Sequence, residues 1–109
     1  MLKQSDYVKL RITVPMKNAD EIRDVLGREG AGVQGSYRNC SFSYRGIGRF
    51  FPTTGAKPAI GNIGKLEEVE EEMIETICHK DLLEKIILAI KKAHPYEEPA
   101  IDIISRLEM

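Results

Sequence analysis

Four apolar residues, Val8, Leu10, Ile12 and Val14, alternate with Tyr7, Lys9, Arg11 and Thr13 near the start of the chain. A period of two sends the two sets to opposite faces, so residues 7–14 are predicted to form a half-buried strand. Pro15 ends it, because proline has no N–H to give to a ladder. The period then changes. Ile22, Val25 and Leu26 recur at helical spacing, and Asn18 with Glu21 stands at the spacing of a capping box. A helix is predicted over about 19–29, with Gly27 or Gly30 at its end.

All nine glycines lie between Gly27 and Gly64, so regular elements are expected at the two ends and turns in the middle. "YRNCSFSY" (37–44) has strand chemistry, "RGIG" (45–48) reads as a turn and "RFF" (49–51) as a short return strand, together an extra central hairpin. Residues 52–65 follow as a long glycine-rich loop, of the kind that is functional or mobile. In "LEEVEEEMIETIC" the acidic first half suits a helix and the second half a strand; a strand from Val69 to Cys78 is predicted. The surest helix is "HKDLLEKIILAIKKAHP". There Asp81 and Glu84 have capping-box spacing, Leu83, Ile86, Ile87 and Ile90 make a broad apolar face, and Lys91 and Lys92 sit in the last turn, where the helix dipole favours cations. Pro95 stops it. "AIDIISRL" (100–107) closes the chain as a strand. The order β-α-β-β-α-β is that of an α+β, ferredoxin-like sandwich, with two helices on one face of an antiparallel sheet. Nothing in the chain is left to cover the other face, so a homo-oligomer is expected.

With 109 residues, the chain is read as a single domain, 1–109. Hydrophobic residues at 42% and charged residues at 30% are an ordinary globular composition. The net charge of -1 gives no basic excess for nucleic acid or an anionic membrane. Aromatic residues at 6%, with no Trp, argue against a single-strand binder that stacks bases. No apolar run approaches the roughly 20 residues of a membrane span, and the N-terminal stretch lacks the apolar segment of a signal peptide; a cytoplasmic protein is expected. Cys40 and Cys78 fit no CxxC or zinc spacing and are read as free thiols.

"HPYEEP" concentrates His94, Tyr96, Glu97 and Glu98. Imidazole plus carboxylate suits a divalent ion or acid–base work. A full coordination sphere would need more ligands, from Cys40, His79 or another subunit. The same letters also describe a helix exit: a His at the negative end of the dipole, a proline stop and carboxylates in solvent. Both readings stand on the residues alone. The Gly-rich stretches follow a helix rather than precede one and lack the Walker spacing, so they are read as turns. "EEVEEEMIE", with six glutamates in nine residues, is read as a solvated face. His79 is read as a surface residue at a strand–helix turn. No GxSxG is present, and no catalytic residue is assigned.

Two resemblances meet at these residues. "HPYEEP" after a Lys-rich helix end resembles the C-terminal signature of the CutA family of divalent-cation-tolerance proteins. More extensively, "GAG" (30–32), "CSF" (40–42), "GIGRF" with Pro52, the 58–71 stretch, "IET" (74–76) and "AHPYEE" (93–98) resemble the insert domain of the NIF-three-like (YqfO) family. The resemblance implies a PII/CutA-like fold assembled as a trimer. In full-length members this domain interrupts a larger metal-binding domain, and the dinuclear ligands and the GTP-cyclohydrolase-like or hydrolase activity belong to the flanking parts. The expectation is therefore a stand-alone, non-catalytic PII/CutA-like binding or regulatory module. Its ligand residues would be His94, Tyr96, Glu97, Glu98 and Cys40 near a subunit boundary, with His94 and Glu97 the candidates for a divalent metal ion, zinc or copper. The alternatives are a metal-dependent hydrolase, or a structural subunit capping a separate metal-binding protein partner. Met73 stands where the family leads one to expect a basic residue before "IET", which weakens ligand contact from that strand.

Overall fold

The period-two segment forms β2 (Tyr7–Pro15) at the centre of the molecule; a computed structural model describes residues 1–109. Around it lie α1 (Ala19–Arg28), β3 (Phe42–Phe50), β4 (Glu67–His79), α2 (Leu83–Ala93) and β5 (Ile101–Ile104). The four strands form one antiparallel sheet in the order β3-β4-β2-β5. This is the ferredoxin-like arrangement expected from the element order.

The even-numbered residues of β2 face the helices. Leu10, Ile12 and Val14 are fully buried and join Ile74 and Cys78 of β4, Ile22 and Leu26 of α1, and Ile86 and Ile90 of α2 in one cluster. Each such aliphatic side chain contributes about 1.5–3 kcal/mol on leaving water, and this layer is what holds the helices to the sheet. Arg23 of α1 adds a polar tie, with its guanidinium 3.0 Å from Glu72 Oε1 and 2.6 Å from Asp20 Oδ1.

Neither capping box forms. Both helices are entered through a 3-10 turn, Met16–Asn18 and Lys80–Leu82, in which the N–H of Ala19 or Leu83 bonds the carbonyl of Met16 or Lys80. Asn18 makes no cap bond, and its Oδ1 is buried without a partner. His79 does the capping at the second entry, where its Nδ1 accepts the Asp81 N–H at 3.1 Å; it is more than a surface residue.

The central hairpin is also corrected. "RGIG" is not a turn: β3 runs straight through it, paired with β4 from Phe42↔Glu75 to Phe50↔Glu67. The extra pairing in the glycine-rich centre is a single bridge, Gln34↔Tyr37. The long loop does exist, as residues 51–66 between β3 and β4. The last predicted strand divides in two: β5 stays in the main sheet, and β6 (Leu107–Glu108) pairs with β1 (Lys3–Gln4).

The face opposite the helices is uncovered. Lys9, Arg11 and Thr13 project there, with Tyr44, Met73 and Glu75 from the register partners. The Tyr44 hydroxyl donates to Glu75 Oε2 at 2.9 Å and accepts from Arg11 at 3.3 Å, while Lys9 lies 3.3 Å from Glu75 Oε1. The Tyr44 bond first, then Lys9, holds the Glu75 carboxyl below the usual carboxylate range. Phe42, Tyr44 and Ile104 are left 61%, 45% and 41% exposed on this face.

Candidate ligand cleft

The HPYEEP segment begins where α2 ends. The His94 N–H gives the last helical bond, to Ile90 O at 2.8 Å, and the backbone turns extended at φ -73, ψ 134. Pro95 makes that turn obligatory, since it disfavours helical geometry in the residue before it. The His94 ring folds inward and is buried at 6% exposure. Its Nδ1 accepts the Tyr96 N–H at 3.1 Å, and its Nε2 lies 2.7 Å from Thr13 O. An accepting Nδ1 places the ring proton on Nε2, which therefore donates to Thr13. His94 is a joint between the exit of α2 and the end of β2.

That joint sends Tyr96 over the uncovered sheet face. Its ring meets Phe50 edge-on, with centroids 5.6 Å apart, and its hydroxyl donates to Glu71 Oε2 at 2.6 Å. Burial first, then the Glu71 carboxylate, raises the Tyr96 phenol well above its ordinary pKa. Glu71 is only 7% exposed. Its Oε2 is used by Tyr96; no hydrogen bond reaches Oε1, and no basic side chain pairs with it. Gly48 makes room for this carboxylate, because a methyl group there would collide with it. The glycines of "RGIG" thus serve close packing across the sheet rather than a turn.

Tyr96, Phe50, Phe51, Tyr44 and the 51–66 loop enclose a cleft of about 740 Å³, with Glu71 in its lining. That is the size of a small-molecule site. The Lys57 N–H donates to Glu97 Oε1 at 2.8 Å, which clips the loop to the HPYEEP segment. Glu98 lines the same cleft.

Of the residues singled out from the sequence, Tyr96, Glu97 and Glu98 therefore come together at one cleft, with His94 behind them as their support. Cys40 does not join them. It lines a separate depression with Asp20, Arg23 and Thr76, and its carbonyl accepts the Thr76 hydroxyl at 2.7 Å. From the sequence, Glu71 belongs to a solvated charge run, Phe50 to a return strand and Gly48 to a turn, none of them as a site residue; Glu71 is instead 7% exposed. The signal was the alternation Val69, Glu71, Met73, Glu75, which puts Glu71 on the uncovered face, away from Glu70 and Glu72 beside it in the charge run. A divalent ion does not fit the donors of one protomer. Both His94 nitrogens and one Glu97 oxygen are committed, and no three His, Cys, Asp or Glu side chains gather closely enough to hold an ion.

No family model matches the chain. The GTP cyclohydrolase 1 type 2 homolog of Halalkalibacterium halodurans is 47% identical over 95 residues, which are 87% of this chain and 26% of that protein. The crystal structure of a Bacillus cereus protein related to NIF3 superposes with a TM-score of 0.80 at 40% identity, over 97% of this chain and 26% of that one. The chain is similar to one segment of these NIF3-related proteins and spans about a quarter of their length. The periplasmic divalent cation tolerance protein CutA of Archaeoglobus fulgidus has a TM-score of 0.65 at 19% identity, covering 90% of this chain and 81% of its own. At that identity it shows a shared fold.

Proposed function

We propose that this NIF3-like domain is a non-catalytic, PII/CutA-like binding module that takes a small ligand in the cleft beneath HPYEEP and assembles as a homo-oligomer through its uncovered sheet face. One observation carries the reading: the Tyr96 hydroxyl on the buried Glu71 carboxylate, at 2.6 Å, builds a polar floor inside an aromatic-walled cleft. The lining holds no His, Cys, Ser or Lys, so it offers no Ser–His or Cys–His pair, and we take binding as its use. The relatives' name points to GTP cyclohydrolase chemistry, but the chain matches 26% of their length, and such turnover is not part of this reading. The exposed Phe42 and Ile104, on the open face outside the cleft, support assembly, and a trimer is the form the resemblance to CutA leads us to expect.

Two measurements test this. A fragment library screened by amide NMR should shift Phe50, Tyr96 and Glu97; a cleft that stays silent at millimolar concentrations removes the ligand reading. Light scattering should give three times the 12.3 kDa chain mass; a monomer at all concentrations removes the assembly reading. Zinc and copper titrations should show no tight stoichiometric site that depends on His94 and Glu97.

A further inference from the structure

The cleft has a charge that nothing in the chain balances. Glu71 lies within its lining at 7% exposure, with Oε1 free of any hydrogen bond. A buried carboxylate without a countercharge is costly, and native proteins keep such groups paired. The carboxylates of Glu97 and Glu98 line the same space, and its single basic residue, Arg49, is paired with Glu68 at 3.3 Å. Phe50, Phe51, Tyr44 and Tyr96 stand in its walls. Aromatic faces attract cations, most of all desolvated ones. A hard metal ion would need several converging oxygens, and no three His, Cys, Asp or Glu side chains gather closely enough here to hold one. An ammonium group on an organic body satisfies both parts of the site.

We infer that the ligand of this cleft is a small organic cation, an amine whose ammonium group pairs with Glu71 Oε1 and whose carbon body lies against Phe50 and Tyr96. This rests on the binding-module reading and narrows it to one ligand class. Tyr96 is a positioning residue: its hydroxyl occupies Oε2 and leaves Oε1 over Gly48, a residue of the cleft lining. Gly48 is the second positioning element, since any side chain there would push the carboxylate aside.

Three probes of one shape test the inference on the full 109-residue chain: n-butylammonium, butan-1-ol and butyrate, titrated by amide NMR. The ammonium should bind at least about tenfold tighter than the alcohol, the gain expected of a charge-assisted hydrogen bond, and butyrate should be weakest. Glu71→Gln keeps an acceptor for Tyr96 and should lower ammonium affinity to that of the alcohol without changing alcohol binding; an unchanged amide spectrum shows that the fold survives. Gly48→Ala should have the same effect from the opposite strand. Equal affinity of the three probes, or ammonium binding that ignores Glu71→Gln, overturns the inference. If alcohol and ammonium bind alike at these amides, the cation falls and the binding module stands; if no probe reaches the cleft, both fall. If cleft amides of the wild type, but not of Glu71→Gln, move on dilution, the cation comes from a second copy and the small-ligand inference is overturned.

Discussion

Removing the His94 ring should cost far more than a solvent-exposed motif residue could. The ring is buried and makes two bonds, to Thr13 O at 2.7 Å and from Tyr96 N–H at 3.1 Å. In His94→Ala, a backbone acceptor and a backbone donor lose their partners together, each at about 1–3 kcal/mol. A cavity of ring size adds to that, so the total is about 3–5 kcal/mol. For a domain of this size the melting temperature should fall by roughly 12 °C or more. Urea titration followed by circular dichroism measures the loss, and deuterium exchange at the Tyr96 amide reports the joint directly. His94→Asn should recover about 1 kcal/mol, because an Asn carbonyl can accept the N–H two residues on as the imidazole does, while Thr13 O stays unpaired. The loss should be the same with and without EDTA, since both ring nitrogens already have protein partners. A destabilisation of His94→Ala below about 1 kcal/mol, or one seen only with metal present, would refute the role of the ring as a joint.

Among the four tyrosines, Tyr96 should be the last to ionise in an alkaline absorbance titration, and Tyr96→Phe should delete that late step. Because its folded pKa is raised, the stability linked to it is complete below the ordinary tyrosine value near 10 and declines as the pH rises above that. Gly48→Ala should lower stability by no more than about 1–2 kcal/mol: it costs the Tyr96–Glu71 bond, a charged-acceptor bond, but gains from replacing a strand glycine. Denaturant midpoints of the single variant and of the double variant with Tyr96→Phe check this, the second substitution adding little to the first. Iodoacetamide should modify Cys40 first and leave Cys78, which is 1% exposed with its thiol pKa raised by burial, protected until unfolding.

The strands and helices were legible wherever one face is buried in the core. Leu10, Ile12 and Val14 keep strict alternation because each meets the helices, and Ile86 and Ile90 repeat at helical spacing for the same reason. What misled was local chemistry that tertiary packing overrode. Asn18 with Glu21 and Asp81 with Glu84 have the letters of caps, but 3-10 turns make the entries. Gly46 and Gly48 look like a turn, yet lie in a paired strand opposite Glu71 and Val69. The site was half legible. HPYEEP drew attention for its His, which proves to be the support, while Tyr96, Glu97 and Glu98 face the cleft. Glu71 was hidden because a run of glutamates resembles solvent-facing charge, and only the alternate positions along β4 separate the buried one from its neighbours.

The short pairing of β1 with β6 sets Lys3 against Glu108 and Gln4 against Leu107, and the Ser5 N–H bonds Arg106 O at 2.9 Å just inside. The chain thus enters and leaves through one doorway. A fold with such adjacent ends can be spliced into a surface turn of a host without prising the host apart, and its own ends can be joined and new ones opened elsewhere. In such a splice the two-stranded stem would be the junction, and the cleft and the open sheet face would belong to the body it carries.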